Sequence, residues 1–591
     1  MKRWLLKRTK VNTAAMAKEL GIRQATAAVL ANRGLLSRKE AQDFLYGGET
    51  AFGDPAEMKD LLKGVSLIAQ AIQEGKMIAV YGDYDVDGVM STTILYQTIL
   101  RCGGNVMFYL PHRQKEGYGL NLKAVEDLSA EGVEVLFTCD NGIAALQEAA
   151  LAKEKGMTVV LLDHHEPGFT GIGEERRDIL PKADAIIDPK QRDCGYPFKH
   201  MCAGGLSYKF SRLLLQEFCI ADEALEKQLV SFAAIATVCD IVDLLGENRA
   251  IVRKGLPEIQ KTKNIGLRAL MEEAGLADKV ISDYHIGFII GPCINAAGRL
   301  ESGRQAVELF CSKVDRDARE KAKMLVRLNE ERKHLTEEAA MRADIALQEG
   351  DALKERVLVL YDPMIHESIA GIVAGRIKDK YYHPTILITG SEDGAKGSGR
   401  SIEGYHIFEA LFENRDLFTR FGGHAMAAGL SLPVENIDIL RKRLNEQCKL
   451  TDEEMIPVLR IEKSLSFAEI DLGLAKELKA LAPFGKGNPA PLFGSKGICA
   501  DRVDMIGKDR NILRMTLSEP QSGTRLSAIS FDGYEQLREM LKELYPAEEC
   551  DKIILSGQLP ERLDIVYSVD INTYNGRSNV QLMIKDFRFA K

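Results

Sequence analysis

No apolar run in this 591-residue sequence reaches the ~18 residues that a membrane-spanning helix requires, so none is expected. The basic start, MKRWLLKRTK, has only Trp4, Leu5 and Leu6 as an apolar centre, too short for the apolar stretch of a secretory leader. Cysteine occurs 11 times but never as C-x-x-C. An odd, scattered set argues against a disulfide framework and a zinc ribbon, and predicts reduced thiols in a cytoplasmic setting. No repeat and no low-complexity tract is visible. Charge is nearly balanced: 86 Asp and Glu against 78 Lys and Arg leave −8. This excludes a protein that is basic throughout, while a local basic groove remains compatible with a nucleic-acid partner. With 45% hydrophobic residues, the chain is too apolar to be disordered. Its length suggests about four domains at roughly 150 residues each.

The pattern changes several times along the chain. Residues 1 to 55 read as short helices. From Lys76, the runs MIAVYG, NVMFYLP, EVLFTC, TVVLL and DAIID alternate with helix-length segments. That alternation predicts an α/β fold with a parallel sheet and crossover helices. A mostly helical stretch follows, from Gly204 to Gly275. A charged run without proline, from Asp315 to Glu355, reads as one long helix, either a connector or a solvated surface helix. A second, Gly-rich α/β unit opens at VLVLYDP. The last part is predicted strand-rich, with ILRMTLSE, TRLSAISF, KIILSGQL, LDIVYSVDINTY and NVQLMIKDFRF forming a small β-barrel.

Asp83, Asp85 and Asp87 follow the strand MIAVYG at every second position, with Gly88 next. Carboxylates so spaced fall on one side of an extended segment and repel one another unless a cation compensates. Oxygen ligands suit Mg²⁺ or Mn²⁺. An EF-hand loop would place Ile94 where a bidentate Glu is needed, and helix capping explains one Asp rather than three. Two further strands end in the same manner, one at Asp140-Asn141-Gly142 and one at Asp163-His164-His165. Ligands of open parallel sheets bind beyond the carboxyl ends of the strands, so three such endings predict one shared site. Asp240, in the apolar segment ATVCDIVDL, needs a partner if buried: a metal, an arginine or a helix end. The sum suits two cations, with Asp140 as the natural bridge and a histidine as proton donor.

DYDVDG, TCDNG and DHH, in this order, resemble the DHH phosphoesterase superfamily. Pro111-His112-Arg113, Gly117-Tyr118-Gly119-Leu120, GPCINAAGRL and FGGHAMAAG narrow the resemblance to the RecJ family within it. The resemblance implies an N-terminal helical segment (1–55), a DHH domain (56–310), a connector helix (311–355), a smaller α/β DHHA1 domain (356–452) and an OB-type β-barrel (453–591). In that family these enclose single-stranded DNA. It implies 5′→3′ degradation of single-stranded DNA to mononucleotides with Mn²⁺ or Mg²⁺. It also implies a monomer, with a single-strand-binding protein and a RecQ-type helicase as partners. Carried over, the metal ligands are Asp83, Asp85, Asp87, Asp140, His164 and Asp240, and the catalytic residues are His165, Asp140 and Asp87. Many superfamily relatives have a His where this chain has Tyr81.

The resemblance also assigns Arg113, Ser398 and Arg400 to a 5′-phosphate and Arg299 to the backbone near the scissile bond. Arg376 is assigned to a channel wall, and His424, read as part of a Gly-rich turn, to the substrate. Guanidinium forks fit phosphate oxygens. An isolated arginine is ordinarily a surface ion-pair partner, and the glycines beside Arg299 and Arg400 are what favour a phosphate role. Rival readings are a short-oligonucleotide RNase, a nucleotide bisphosphate phosphatase, a pyrophosphatase and a non-catalytic single-strand-binding scaffold. The first two are expected in chains about half this length without a terminal barrel. Loss of metal ligands, not seen here, would mark the scaffold.

Overall fold

The computed structural model describes residues 2–47, 52–113, 115–171, 176–350, 352–391, 394–507, 511–574 and 576–590. Its apolar runs become five parallel strands in the order Asn105–Tyr109, Met77–Tyr81, Val135–Cys139, Thr158–Leu162 and Ala185–Ile187. Helices cover both faces, so the central strands are buried throughout and read as unbroken Val/Leu/Phe runs. Met77–Tyr81 lies between the second and third strands of the chain. The path leaves it toward one edge and then crosses to the other. That reversal is a topological switch point, where a crevice opens beyond the strand ends. The crevice is flanked by Asp83, Asp85 and Asp87 on one side and Asp140 on the other.

The helical stretch supplies Ala203–Glu217, Glu223–Cys239, Gly246–Gln260 and Ile265–Glu273. The charged run forms a single helix, Asp315–Glu349, with Leu325, Leu328 and Ala339 among its buried residues. Beyond it a mixed sheet has the order Arg420–His424, Ala427–Leu432, Gly394–Arg400, Thr385–Ser391 and Leu358–Tyr361, with the helix Glu367–Tyr381. The chain divides into two compact units. All elements described so far belong to one, residues 49–455 with 485–487.

The other unit comprises residues 1–48, 456–484 and 488–591. Phe493–Ile506 pairs with both Ile512–Ser518 and Leu563–Tyr574, and the circuit closes through Arg525–Ser530 and Arg577–Phe589. The predicted small barrel is therefore present and closed. The 14-residue strand Phe493–Ile506, which the pattern had not signalled, has register shifts at Ser495/Ile498 and Ala500/Arg502 where it changes partner.

Two expectations are corrected. KIILSGQL is not a strand: Ala547–Ser556 is a helix, with Glu548 and Glu549 in its first turn and Gly557 (φ 66°) closing it. Residues 1–55, read as short helices, do supply the helices Thr13–Leu20, Gln24–Asn32 and Arg38–Tyr46, but not helices alone. Arg3–Leu6 is a strand paired in parallel with Val458–Ile461. The helices Gln24–Asn32 and Arg38–Tyr46 bring Val29, Leu30 and Phe44 into one core with Leu474, Leu478 and Phe493. Glu477 accepts hydrogen bonds from the Arg23 amide and the Thr26 hydroxyl, both at 2.8 Å.

Candidate metal centre and phosphate pocket

The first acidic motif is shaped by two glycines and a cap. A Cβ on Gly82 would lie 1.9 Å from Thr92 Oγ1, and one on Gly88 would lie 2.4 Å from the Asp83 carbonyl oxygen. Only glycine allows so tight an exit from the strand. Asp85 caps the helix Val86–Arg101, accepting from the amides of Asp87 (2.9 Å) and Gly88 (3.1 Å). Asp87 is buried and accepts from the amides of Ala203 (2.8 Å) and Gly204 (2.7 Å), the first turn of the helix Ala203–Glu217. Asp140 lies in the left-handed region (φ 64°), a conformation that Asp tolerates better than most residues. Asp240 ends the helix Glu223–Cys239.

These elements bring every predicted ligand together. Asp83, Asp85 and Asp140 offer oxygens within 4.8 Å of one another, as do donor atoms of Asp87, His164 and Asp240. His164 Nε2 lies 3.1 Å from Asp140 Oδ1 and 3.6 Å from Asp87 Oδ2, and its Nδ1 lies 3.8 Å from Asp240 Oδ2. Asp140 thus stands where the two groups meet. The buried carboxylate of Asp83 has no well-aligned hydrogen-bond donor at either oxygen. Tyr81 does not substitute for the His of many relatives: its hydroxyl donates to the Gly119 carbonyl (3.1 Å), within the core.

The electrostatics of this cluster are those of incompletely compensated charge. Burial, then the charges of Asp87, Asp85 and Asp240, lift Asp140 well above the carboxylate range. Burial and Asp85 lift Asp83 as well. Burial and Asp85 push Asp87 up to about 7 despite its two backbone donors. Burial, Asp87 and Asp85 push Asp240 to about 8. His164 is forced down to about 3 by burial and the charge of His165, leaving a neutral imidazole. Hard oxygen donors with one neutral imidazole, and two buried carboxylate oxygens lacking partners, fit divalent cations of the Mn²⁺ or Mg²⁺ kind.

Sequence reasoning quoted Asp163 and Tyr118 inside motifs without giving either a role. Asp163 Oδ1 accepts from the amides of His164 (2.7 Å) and His165 (3.2 Å) and lies 2.7 Å from His165 Nδ1. Its Oδ2 accepts from the Ile143 amide at 2.9 Å. Burial alone would lower His165, but the hydrogen bond and charge of Asp163, helped by Asp240 and Asp87, outweigh it and hold the imidazole at about 9. Burial would likewise raise Asp163, yet His165 and the Ile143 amide bring it to about 2. The Tyr118 hydroxyl donates to the Asp140 carbonyl (3.0 Å) and lies 3.1 Å from His165 Nε2. The signals were there: Asp163 opens the DHH triplet and Tyr118 lies between two glycines.

Next to the acids is a cavity of about 320 Å³ lined by Tyr84, Arg113, Arg299, Lys396, Ser398 and Arg400, among others. Tyr84, Arg113 and Arg299 also line the acidic cavity of about 360 Å³, together with Asn295. Ser398 and Arg400 are two apart on a strand and so share a face. Arg400 donates to Ser398 Oγ at 3.1 Å. A Cβ on Gly371 would come within 2.6 Å of Arg400 Nη2, so the bare helix leaves room for that guanidinium. Arg113 stacks over the Tyr84 ring at 5.1 Å. Burial, then Arg113, Arg332 and Arg400, lower Arg299 to about 10. Cations that repel one another across an open cavity make an anion site.

Two predicted residues lie elsewhere. Arg376 is an exposed residue of the helix Glu367–Tyr381, within electrostatic reach of Arg332 but not lining either cavity. His424 is the exposed last residue of the strand Arg420–His424, paired with Ala427. Its glycine neighbours lie in the strand, and the turn is formed by Ala425 and Met426.

Comparison with known proteins agrees with this architecture. The description "DHH family, N-terminal domain" matches residues 77–237, "DHHA1 domain" matches 354–450 and "RecJ OB domain" matches 461–586. The chain is 35% identical to the single-stranded-DNA-specific exonuclease RecJ of Bacillus subtilis, over 97% of this chain and 69% of that protein. It is 32% identical to the Haemophilus influenzae protein of the same name, over 90% and 91%. The crystal structure of Thermus thermophilus RecJ in complex with Mn²⁺ superposes with a TM-score of 0.80 at 24% identity, covering 100% of this chain and 80% of that one.

Proposed function

This chain belongs to the RecJ family, and from that premise we propose that it is a metal-dependent exonuclease degrading single-stranded DNA to mononucleotides in the 5′→3′ direction, in DNA repair and recombination. One observation carries the reading: an arginine-lined cavity adjoins the acidic one, the two sharing Tyr84, Arg113 and Arg299 in their walls.

In this reading Asp83, Asp85 and Asp140 would hold one cation and Asp87, His164 and Asp240 a second, with Asp140 standing where the two groups of donors meet. Cations bound there supply activation of water and stabilisation of charge in an in-line displacement at phosphorus. The chain's own residues do the rest. Arg113, Ser398 and Arg400 grip the terminal 5′-phosphate, and Arg299, reaching both cavities, holds the next phosphate over the acids. Fixing the terminal phosphate on that side presents the first phosphodiester to the acidic cluster, which sets both the polarity and the one-nucleotide step. His165, kept protonated by Asp163, donates a proton to the departing sugar oxygen. Asp163 holds its ring at Nδ1, and the Tyr118 hydroxyl lies against the same ring, 3.1 Å from Nε2. Arg376 and His424 serve longer DNA outside both cavities.

A single-strand-binding protein and a RecQ-type helicase fit as partners of such an enzyme, acting as a monomer in the cytoplasm. The test is digestion of one 5′-phosphorylated oligonucleotide, single- or double-stranded, with Mn²⁺, Mg²⁺ or chelator. Mononucleotides released from the 5′ end of the single strand alone, only with metal, support the reading. Turnover restricted to dinucleotides or nucleotide bisphosphates overturns it.

A further inference from the structure

Residues Asp283 to Leu300 form one continuous helical rod: a helical turn at Asp283–His285, a π-helical turn at Ile286–Ile290 and the helix Gly291–Leu300. Its buried side carries Ile286, Ile290, Ile294 and Ala297, spaced four, four and three residues apart. The opposite side follows the same spacing with Tyr284, Phe288, Pro292, Asn295 and Arg299, none of them buried. The far end of this side belongs to the site: Arg299 borders both cavities and Asn295 borders the acidic one. The near end is aromatic and bare. Tyr284 is 58% and Phe288 67% exposed, and their rings stack with centroids 4.9 Å apart and planes 25° apart. Tyr284 also meets the His285 ring edge-on at 5.8 Å, so the broader surface this pair offers to a third flat group is that of Phe288.

Two local features mark this end as more than a frayed surface. A single π-helical turn is rare and tends to occur at functional sites. Here it keeps Gly287 and Gly291 against the end of the helix Glu223–Cys239. A Cβ on Gly287 would meet Val238 at 3.6 Å, and one on Gly291 would clash with Cys239 Sγ at 2.4 Å. Directly beyond Asp240 stands Ile241, 65% exposed and lining the acidic cavity, with φ 57°. A β-branched residue in the left-handed region is a strained exception, of the sort retained at functional sites.

We propose that Tyr284 and Phe288 form a base-stacking platform that holds the single strand on the 3′ side of the scissile bond, a specificity element for unpaired bases of any sequence. The proposal rests on the exonuclease reading, which fixes the direction. With the 5′-phosphate among Arg113, Ser398 and Arg400, and the scissile bond over the acids, the strand leaves past Asn295 toward Phe288. At 1.5 Å per residue Phe288 is about 10 Å from Asn295 along the rod. That is about three nucleotides of a stacked strand. Every base has a π-face, so stacking holds the strand without reading it.

The test uses the full chain with chelator, so that nothing is cleaved, and 5′-phosphorylated oligonucleotides carrying 2-aminopurine at successive positions. The expected result is quenching confined to a window near the third to fifth nucleotide. It disappears in the Tyr284→Ala/Phe288→Ala double variant and returns in Tyr284→Phe/Phe288→Tyr. With metal, the double alanine variant should raise KM for a long single strand roughly ten- to hundredfold. A 5′-phosphorylated dinucleotide, too short to reach the rings, should be cleaved at the wild-type rate. Quenching and KM that are unchanged in the double variant, as a surface serving a protein partner would leave them, overturn the platform while the exonuclease stands. A wild-type chain that binds no single-stranded DNA overturns the exonuclease reading itself.

Discussion

Two buried charged clusters lie in the same unit, and they are built on opposite principles. Around Lys209, every charge has its complement. The ammonium lies 2.9 Å from Glu247 Oε2, and the Tyr196 hydroxyl joins Lys209 to Glu247 by two short hydrogen bonds. All three side chains are almost fully enclosed. At the switch point of the sheet, five carboxylates converge with only partial compensation from Arg113, His165 and Lys190, and four of them are still pushed far above their ordinary range. The first arrangement is what folding alone favours: a buried charge paired and hydrogen-bonded. The second costs folding free energy unless protons or cations take up its charge. The difference separates a structural ion pair from a binding site, and it does so without reference to any relative.

The sharpest way to break this contrast is to remove one charge from each cluster. Asp140→Asn should lower turnover by more than about a thousandfold, beyond the 10–100-fold loss expected of residues that only orient a ligand. It should leave single-strand binding, followed by fluorescence anisotropy with chelator present, close to wild type. The same substitution should raise the melting temperature of the metal-free protein, because it relieves repulsion. Lys209→Met should do the reverse. It leaves Glu247 buried and unpaired, at a cost of about 3–5 kcal/mol in urea unfolding. Activity per folded molecule should not change. If Asp140→Asn destabilises the metal-free protein as Lys209→Met does, the two clusters are not different in kind.

A smaller effect is expected in the arginine pocket. Arg400→Ala removes one charge-assisted contact, and should reduce the preference for 5′-phosphorylated over 5′-hydroxyl ends by roughly tenfold. An unchanged preference in paired digestions removes Arg400 from that pocket.

The smallest predicted effect is a dependence on pH. Asp87 at about 7, Asp240 at about 8 and His165 at about 9 all lie above their ordinary values of 3.8, 3.8 and 6.5. Between about pH 6.5 and 9 the folded chain therefore binds more protons than the unfolded one, and stability falls as pH rises. His164, held at about 3, and Asp163, at about 2, work in the opposite sense only below that window. Calorimetric scans of metal-free protein should show the melting temperature dropping by a few degrees across the window. Mn²⁺ should flatten the slope, and a slope independent of Mn²⁺ would dissociate the acids from metal binding.

The parallel sheet was legible because its strands are buried on both faces, so five β-branched runs stand out between helix-length segments. The acidic site was legible for a related reason: three of those runs end in Asp motifs, and topology then forces the ends together. What failed was non-local. Nothing in MKRWLLKRTK announces that Arg3–Leu6 will pair with Val458–Ile461, some 450 residues away. KIILSGQL, a short apolar run, fits a strand or a buried helix equally, and the deciding turn of Glu548 and Glu549 lies just upstream. Asp163 was passed over because its task, holding His165, depends on a side-chain geometry that spacing does not reveal. The bare face of Tyr284 and Phe288 needed the structure too, since its continuity with Arg299 depends on a π-helical turn that sequence periodicity does not signal.

The central claim is that the incompletely compensated acids at the switch point are a two-cation site. The most direct test is to count Mn²⁺ ions bound per chain by calorimetry or electron paramagnetic resonance, in wild type and in Asp140→Asn. The account predicts two ions on the wild-type chain, magnetically coupled through a shared carboxylate, with the coupling and at least one ion lost in Asp140→Asn. A wild-type chain that binds no Mn²⁺, or an Asp140→Asn chain that binds two coupled ions as before, would contradict it.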